Sequence, residues 1–352
     1  MKYFQLLVLL SLFSFACTER EKKESTDVPT IGTGQMPAIA KDANHNLHIV
    51  YGYGDSIMYT SSSDGGTSFG NPVLIDTLND LVDYATRGPQ ITSTKTGLAI
   101  IAVNKQGNIF SFTKDQSGKW SRTAKVNDAD TTNKEGFLGL SGDGDNTVFA
   151  IWPDLRNNGH QKVYGARSTD GGQTWSKNIL VYHSPGGSIC ECCKQSVVMN
   201  GKNVYVMFRN LINGDRNVYL IKSSDGGATF GEAQKLGYGN WQLDGCPMDG
   251  GNISVNNQNV QTIWRRKDSI FYAEPGKQEE FIAKGKHCTI SSGDNITAIA
   301  WESDEKIYYK LNGKTEQFMG NGSSAVLQLT SQNKLLCVWT DNGSIKYRLI
   351  NI

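Results

Sequence analysis

The chain has 352 residues, enough for one large all-β domain or for two domains of ordinary size. Its 35 basic residues nearly balance its 34 acidic residues, and no basic stripe runs along it, so a nucleic-acid partner is not expected. The 38 glycines outnumber the 8 prolines, which indicates many tight turns between short strands.

The first residues resemble a bacterial lipoprotein signal. Lys2 precedes an apolar run at 6–15 that is too short to span a bilayer, and Ala16 precedes Cys17. The resemblance implies a signal peptide over 1–16 and lipidation of Cys17, with an ordinary cleaved signal as the alternative. Residues 17–30 then form a charged tether, and 31–352 form a single domain. The expected location is the cell envelope, with the outer membrane favoured and the lipid anchor as the membrane contact.

A short repeat is the strongest structural signal in the chain. SSSDGGTSF (61–69), STDGGQTW (168–175) and SSDGGATF (223–230) share one pattern, and TKDQSGKW (113–120) is a degenerate copy. The aspartates recur at intervals of roughly 50 residues, the length of a four-stranded propeller blade; they are Asp64, Asp115, Asp170 and Asp225. In a hairpin turn such an aspartate accepts backbone N–H groups, and the glycines supply positive φ.

This pattern resembles the Asp-box, or BNR repeat, of sialidases and related β-propellers. In that family the boxes join the third and fourth strands of a blade, away from the ligand site, so the resemblance implies a structural role for the four aspartates. The closing aromatic residue is expected to pack back between the sheets.

The segments around the boxes predict an all-β propeller of four-stranded blades. MPAIAKD (36–42) and LHIVYG (47–52) give the first two strands of one unit, and similar pairs recur to make seven units. The last unit has only three strands, so the segment near 28–31 is expected to close the ring and to remove an exposed edge. Six blades, the number in sialidases, is the alternative.

The resemblance also implies which residues face a ligand. In such propellers the first strands line a central channel, and ligands bind where first strands begin and second strands end. Before the first strands stand Gln35, Arg87, Glu135, Cys190, Cys192, Cys193, Cys246, Met248, Asp249, His287 and Cys288. After the second strands stand Asp154, Arg156, Arg209, Arg265, Arg266 and Glu302. We expect these charged and sulfur-containing side chains to converge on one mouth.

Sialidases hold the substrate carboxylate with three arginines, whose planar forks suit bidentate hydrogen bonds. They also use a tyrosine nucleophile with a glutamate, and an aspartate as acid/base. Their first arginine lies in an Arg-Ile-Pro motif, but this chain has QMP at 35–37. Arg87, in an Arg-Gly-Pro sequence one blade later, could substitute, and Arg209 and Arg265 could complete a triad. No Tyr/Glu pair is assigned.

Five cysteines lie at the predicted starts of three consecutive first strands, in ICECCKQS, LDGCPMDGG and KHC. The first two segments resemble those of a subgroup of bacterial sialidase-like propellers. Disulfides between blades are one interpretation for an exported protein. A soft-metal site for copper or zinc, with Met248 and His287 nearby, is a second, although the C-x-C-C spacing matches no standard zinc motif. A redox-active or vicinal disulfide is a third. Cys337 lies within a predicted second strand and is expected to be a buried, inert thiol.

The sequence therefore favours a lipid-anchored binding module whose cysteine-rich mouth holds a glycan, a soft metal or a partner protein. The alternative is a sialidase-type glycoside hydrolase that acts on terminal acidic sugars. A structural scaffold in which the cysteines only brace the blades is the third hypothesis.

Overall fold

The computed structural model describes residues 28–130, 132–157, 159–330 and 334–352. In these ranges the chain forms 28 β-strands arranged as seven separate four-stranded antiparallel sheets. Within them, no helix has the length and apolar character that a membrane span requires. The predicted signal peptide and Cys17 lie outside the described residues, so the export and lipidation hypotheses stay predictions.

The sheets are blades of a propeller, numbered here in chain order with their strands given from the axis outward. The first four blades have regular up-and-down order. Blade 1 contains β2 (Gln35–Lys41), β3 (Leu47–Tyr53), β4 (Ser56–Ser62) and β5 (Val73–Thr77). Blade 2 contains β6 (Gln90–Thr94), β7 (Gly97–Val103), β8 (Ile109–Lys114) and β9 (Trp120–Lys125). Blade 3 contains β10 (Gly139–Gly142), β11 (Val148–Asp154), β12 (Lys162–Ser168) and β13 (Ile179–Tyr182). Blade 4 contains β14 (Ser196–Asn200), β15 (Asn203–Arg209), β16 (Val218–Ser223) and β17 (Gln234–Lys235).

The remaining blades close the ring. Blade 5 contains β18 (Gly251–Asn256), β19 (Asn259–Arg266), β20 (Ser269–Ala273) and β21 (Glu280–Lys284). Blade 6 contains β22 (Lys286–Gly293), β23 (Ile296–Ser303), β24 (Lys306–Leu311) and β25 (Gln317–Asn321). Blade 7 contains β26 (Ser323–Leu329), β27 (Lys334–Asp341), β28 (Ser344–Asn351) and β1 (Thr30–Thr33). The prediction of seven blades is confirmed, and the six-blade alternative is wrong. Ring closure by the N-terminal segment is also confirmed, because β1 pairs antiparallel with β28.

The hydrophobic core lies between the blades. Second strands such as β3 and β11 are buried on both faces, because each contacts a neighbouring blade on either side. This explains why LHIVYG and VFAIWPD are almost continuously apolar. Seven apolar clusters fill the seven spaces between neighbouring blades, and the cluster of Leu47, Ile49 and Leu336 joins blade 7 to blade 1.

The four repeat turns join the third and fourth strands of blades 1 to 4. In blade 3, Asp170 accepts hydrogen bonds from Ser168 Oγ at 2.8 Å and from Thr174 N at 2.9 Å. Asp64 and Asp225 accept equivalent bonds in their own turns, whereas Asp115 of the degenerate copy accepts from Ser117 Oγ and Lys119 N. Each turn or its closing aromatic packs on the preceding blade; Phe230, for example, lies 5.7 Å from the ring of Phe149. At Gly227, with φ of 89°, a Cβ atom would stand 2.3 Å from Phe149, so this approach requires glycine.

Candidate functional site

The first strands of consecutive blades contact one another in a closed ring around the axis. At the face where these strands begin, a cavity of about 100 Å³ opens to solvent. Its lining comes from six of the seven blades, and the polar residues among it include Arg87, Gln90, Lys194, Asp249, Asn252 and His287. The expected convergence of distant side chains on one mouth is therefore present for Arg87, Asp249, His287 and Cys288.

A repeated backbone device shapes this mouth. In blades 1, 6 and 7 the first strand carries a bulge near its start, with Met36, His287 and Ser324 in the left-handed region. The N–H of each of these residues donates to a side chain from the preceding blade. The acceptors are Thr340 Oγ1 at 3.2 Å, Asp249 Oδ2 at 2.9 Å and Glu302 Oε1 at 2.5 Å, respectively. These bonds fix the blades to one another at the axis.

His287 lies at the centre of a charged group in the mouth. Its Nδ1 lies 2.8 Å from Glu302 Oε2, and its Nε2 lies 3.2 Å from the carbonyl oxygen of Met248. Burial alone would lower the pKa of His287, but the hydrogen bond and charge of Glu302, with the charge of Asp249, outweigh it and raise the pKa. Because a carboxylate and a carbonyl both accept, the doubly protonated imidazolium fits this site best. Its nitrogens are therefore occupied and not available to a metal ion.

Asp249 is almost fully buried beside His287. Burial raises the pKa of its carboxyl, and the charges of His287, Arg209 and Arg265 oppose that rise. Arg265 Nη1 lies 3.8 Å from Asp249 Oδ2. The mouth thus combines two buried acids, Asp249 and Glu302, with several cations.

Arg209 is also almost fully buried, but its guanidinium faces the protein backbone. It donates to the carbonyl oxygens of Asp249 at 3.2 Å, Arg216 at 2.7 Å and Arg265 at 2.8 Å, and it stands over the ring of Trp241. Arg265 donates to the carbonyl oxygens of Lys267 and Pro247. These contacts hold neighbouring loops together and leave few donors for a ligand.

Arg87 forms an ion pair with Glu135, whose Oε2 lies 3.1 Å from Arg87 Nη2, and its guanidinium lies 4.0 Å from the ring centre of Phe137. Of Arg87, Arg209 and Arg265, only Arg87 lines the axial cavity. The structure therefore does not place the three proposed triad arginines around one carboxylate-sized space.

Asp154 and Arg156 form a separate network at the end of β11. Asp154 is fully buried and accepts from Trp152 Nε1 at 2.9 Å, from Thr132 Oγ1 at 2.8 Å and from Arg156 Nη2 at 2.7 Å. Arg156 also donates to Asp128 Oδ1 at 2.8 Å. This network ties the end of the strand to the loop from the preceding blade, and neither residue lines the axial cavity.

The cysteines divide into a cluster and two isolated thiols. Cys192 and Cys246 form a disulfide that joins the loops entering blades 4 and 5, as the disulfide interpretation predicted. Cys190 Sγ lies 3.2 Å from Cys193 Sγ and 3.9 Å from Cys192 Sγ. Cys288 lines the axial cavity and packs with Ile263, and burial raises its pKa well above the ordinary value. Cys337 is buried, and burial raises its pKa as well.

The sulfur atoms of Cys190, Cys192 and Cys193 lie within 4.8 Å of one another, close enough to share a soft ion. Cys192 is held in a disulfide here, however, so such a site requires reduction. Copper or zinc binding therefore stays a prediction for the reduced protein. Cys190 and Cys193, the outer pair of C-x-C-C, do have the C-x-x-C separation that is common in zinc sites.

No family model matches the chain, and no curated protein matches it. Solved structures do. The BP39L lectin from Burkholderia pseudomallei matches with a TM-score of 0.65 and 9% identity, over 91% of this chain and 96% of the lectin. The Penicillium chrysogenum α-L-arabinanase complexed with arabinobiose matches with a TM-score of 0.58 and 12% identity, over 92% and 97%. A polysaccharide lyase, ulvan lyase, matches with a TM-score of 0.58 and 9% identity, over 92% and 95%. At such identities the similarity shows the propeller fold alone.

Lys194 is a mouth residue that the sequence reasoning missed. It follows Cys193 directly, stands two residues before β14 and lines the axial cavity. Among the described residues, no carboxylate lies within ion-pair distance of its ammonium group, and burial lowers its pKa to about 8. Its position at the start of a first strand could have indicated this, but the functional hypotheses for this segment considered only its cysteines. Lys194 is thus a protonated, unpaired cation at neutral pH, available to an anionic ligand.

Proposed function

We propose that this chain is a carbohydrate-binding propeller that holds an acidic sugar group in its axial mouth, with Lys194 as the cation that receives the ligand carboxylate. The observation that carries the proposal is Lys194 itself, a partly buried ammonium group in an open cavity without an acidic partner among the described residues. A buried unpaired charge is costly, and a bound carboxylate offsets that cost.

The neighbourhood suits such a ligand. Gln90 and Asn252 line the same cavity and can bond sugar hydroxyl groups. On the same face, Tyr53 at the end of β3 and the loop residues Tyr84 and Tyr238 are exposed, at 54%, 47% and 69%. Exposed aromatic rings provide flat apolar surfaces against which a sugar ring packs. A glycan held at the axis could therefore extend outward over this face.

The similar solved structures support a carbohydrate ligand by analogy. The lectin, the arabinanase with its arabinobiose and the ulvan lyase, solved with a GlcA(1-4)Rha3S glycan, share the fold over nearly the whole chain. Fold similarity does not assign function, so the proposal depends on the mouth residues. Sialidase-type hydrolysis is less well supported, because Arg209 and Arg265 donate chiefly to backbone carbonyl oxygens. We place this binding at the cell envelope, and the Cys192–Cys246 disulfide supports an oxidising compartment.

The test is binding of methyl glucuronide against methyl glucoside, measured by titration calorimetry on wild type and Lys194→Gln. Charge-assisted hydrogen bonds contribute about 1.5–3 kcal/mol, so the variant should bind glucuronide about 10- to 100-fold more weakly. Lys202→Gln is the matched control, because Lys202 is an exposed lysine at the β14–β15 turn on the opposite face. The proposal fails if Lys194→Gln binds glucuronide as tightly as wild type, or if wild type does not prefer the acidic sugar.

A further inference from the structure

Cys190, Cys192, Cys193 and Cys246, named here the thiol centre, combine a disulfide with two free thiols. The disulfide joins Cys192 to Cys246, and the thiols of Cys190 and Cys193 lie 3.2 Å apart. Cys190 Sγ stands only 3.9 Å from Cys192 Sγ, one end of that disulfide. Cys190, Cys192 and Cys193 are buried, whereas Cys246 is exposed. A free thiol therefore sits beside a disulfide whose other end reaches solvent.

The two free thiols have opposite character. A hydrogen bond from Cys193 stabilises the Cys190 thiolate, burial opposes this, and the charges of Arg209 and Arg216 add to the stabilisation. The pKa of Cys190 therefore lies below its ordinary value. Arg216 Nη1 lies 3.2 Å from Cys190 Sγ. Burial raises the pKa of Cys193 well above its ordinary value. Cys190 is assigned as the nucleophile because its Sγ lies 3.9 Å from the disulfide sulfur of Cys192 and 3.2 Å from Arg216 Nη1, whose positive charge stabilises a thiolate.

We propose that the thiol centre performs intramolecular thiol–disulfide exchange, moving the disulfide from Cys192–Cys246 to Cys190–Cys193 and delivering Cys246 to the surface as a free thiol. The short distance between Cys190 Sγ and Cys192 Sγ makes the first attack possible without a large backbone movement. Cys190 does not need to reach solvent for this step, because the sulfur that it attacks belongs to Cys192, which is buried beside it.

The exchange proceeds in two displacements. The Cys190 thiolate attacks Cys192 Sγ, the Cys192–Cys246 bond breaks, and Cys246 leaves as a thiolate with the electron pair. Cys193 then attacks Cys190 Sγ, the Cys190–Cys192 bond breaks, and the proton of Cys193 passes to the leaving Cys192 sulfur, which lies within 4.8 Å of it. One disulfide breaks for each one formed, so no external oxidant or reductant is required. The exposed Cys246 thiolate can then attack a small-molecule disulfide, form a mixed disulfide with it and release one thiol.

The experiment traps Cys246 in the folded protein. Protein purified without reductant is incubated with N-ethylmaleimide, quenched at intervals and digested for non-reducing peptide mapping. Labelled Cys246 should accumulate together with a Cys190–Cys193 disulfide, while buried Cys288 and Cys337 stay unlabelled. A Cys192–Cys246 disulfide that persists in wild type through prolonged incubation overturns the proposal, and this readout needs no variant.

Variants locate the nucleophile. Cys190→Ser should slow the labelling of Cys246 at least about tenfold, because a serine hydroxyl does not attack a disulfide at neutral pH. Cys193→Ser should still release Cys246, but with a Cys190–Cys192 disulfide in the map. Cys337→Ser, which removes an isolated thiol in blade 7, is the matched control and should label as wild type does. Equal labelling of Cys246 in wild type and in folded Cys190→Ser would contradict the mechanism.

Discussion

Substituting Arg209 separates a structural role from a ligand-binding role. Arg209 is only 2% exposed, and its guanidinium donates to three backbone carbonyl oxygens, those of Asp249 and Arg216 in loops and that of Arg265 near the end of β19. Arg209→Met keeps much of the apolar stem and removes these donors. A buried acceptor left without a partner costs about 1–3 kcal/mol. Arg209 borders a small cavity together with Arg216 and Trp241, where the freed carbonyl groups could be hydrated, so we take the lower end for each carbonyl. We add about 1 kcal/mol for the contact with Trp241.

The expected loss in the free energy of unfolding is therefore about 3–5 kcal/mol, measured by urea denaturation with tryptophan fluorescence. Arg265→Met is the comparison, because Arg265 is more exposed and should cost about 1 kcal/mol. If Arg209 instead belonged to a carboxylate-binding triad with free donors, its removal would weaken ligand binding and leave stability nearly unchanged. A loss below about 1 kcal/mol for Arg209→Met would refute the structural reasoning.

Three further predictions concern ionisable groups. Because the pKa of Lys194 is about 8, glucuronide affinity should stay constant below that pH and fall about tenfold per unit above it in calorimetric titrations, and a flat profile would contradict this. His287 has a raised pKa, so its contribution to stability is full below its unfolded value of 6.5 and is lost as pH rises through the higher folded value; Glu302→Gln should flatten that pH dependence in thermal melts. Partial burial would raise the pKa of Asp170, but hydrogen bonds from Thr174 and Ser168 outweigh it and lower the pKa. Asp170→Ala should therefore cost about 1–2 kcal/mol in urea denaturation at neutral pH, and less as the pH falls toward the acid range, whereas an unchanged midpoint would show that the turn folds without its aspartate.

The fold was largely predictable because its signals are local and repeated. Each Asp-containing turn specifies one hairpin. Each apolar second strand specifies burial between two neighbouring blades, so the number of second strands gives the number of blades. The three strands at the C-terminus predicted a fourth from elsewhere, and β1 supplies it by pairing with β28. Only the left-handed bulge residues, such as Met36 and His287, had no recognisable sequence signal, because neither is a residue type that favours positive φ as glycine does.

The candidate site was predictable only in its location. The sequence places Arg209 at the mouth, but whether its guanidinium faces the cavity or the backbone depends on side-chain packing. For Lys194, the residue type alone does not distinguish it from exposed lysines. Its proposed role depends on the absence, among the described residues, of a carboxylate within ion-pair distance. The cysteine cluster was expected from the blade order, whereas the pairing of Cys192 with Cys246 depends on which loops touch across the boundary between blades.

The thiol centre and the axial cavity share one short segment, residues 246–250. This explains why a cysteine and cavity-lining residues lie close together in that part of the sequence. The segment starts at Cys246, bonded to Cys192, and continues to Asp249, whose backbone N–H bonds to Cys193 and whose carboxylate holds the backbone of His287. It ends at Gly250, where a Cβ would stand 2.1 Å from the carbonyl oxygen of Lys194. Only glycine permits that approach, so the loop after Cys246 and the strand start after Cys193 are fitted to each other. The two loops therefore place Lys194 and the thiol centre as a single unit, and a change in the Cys192–Cys246 bond would act on the segment that borders the proposed ligand site.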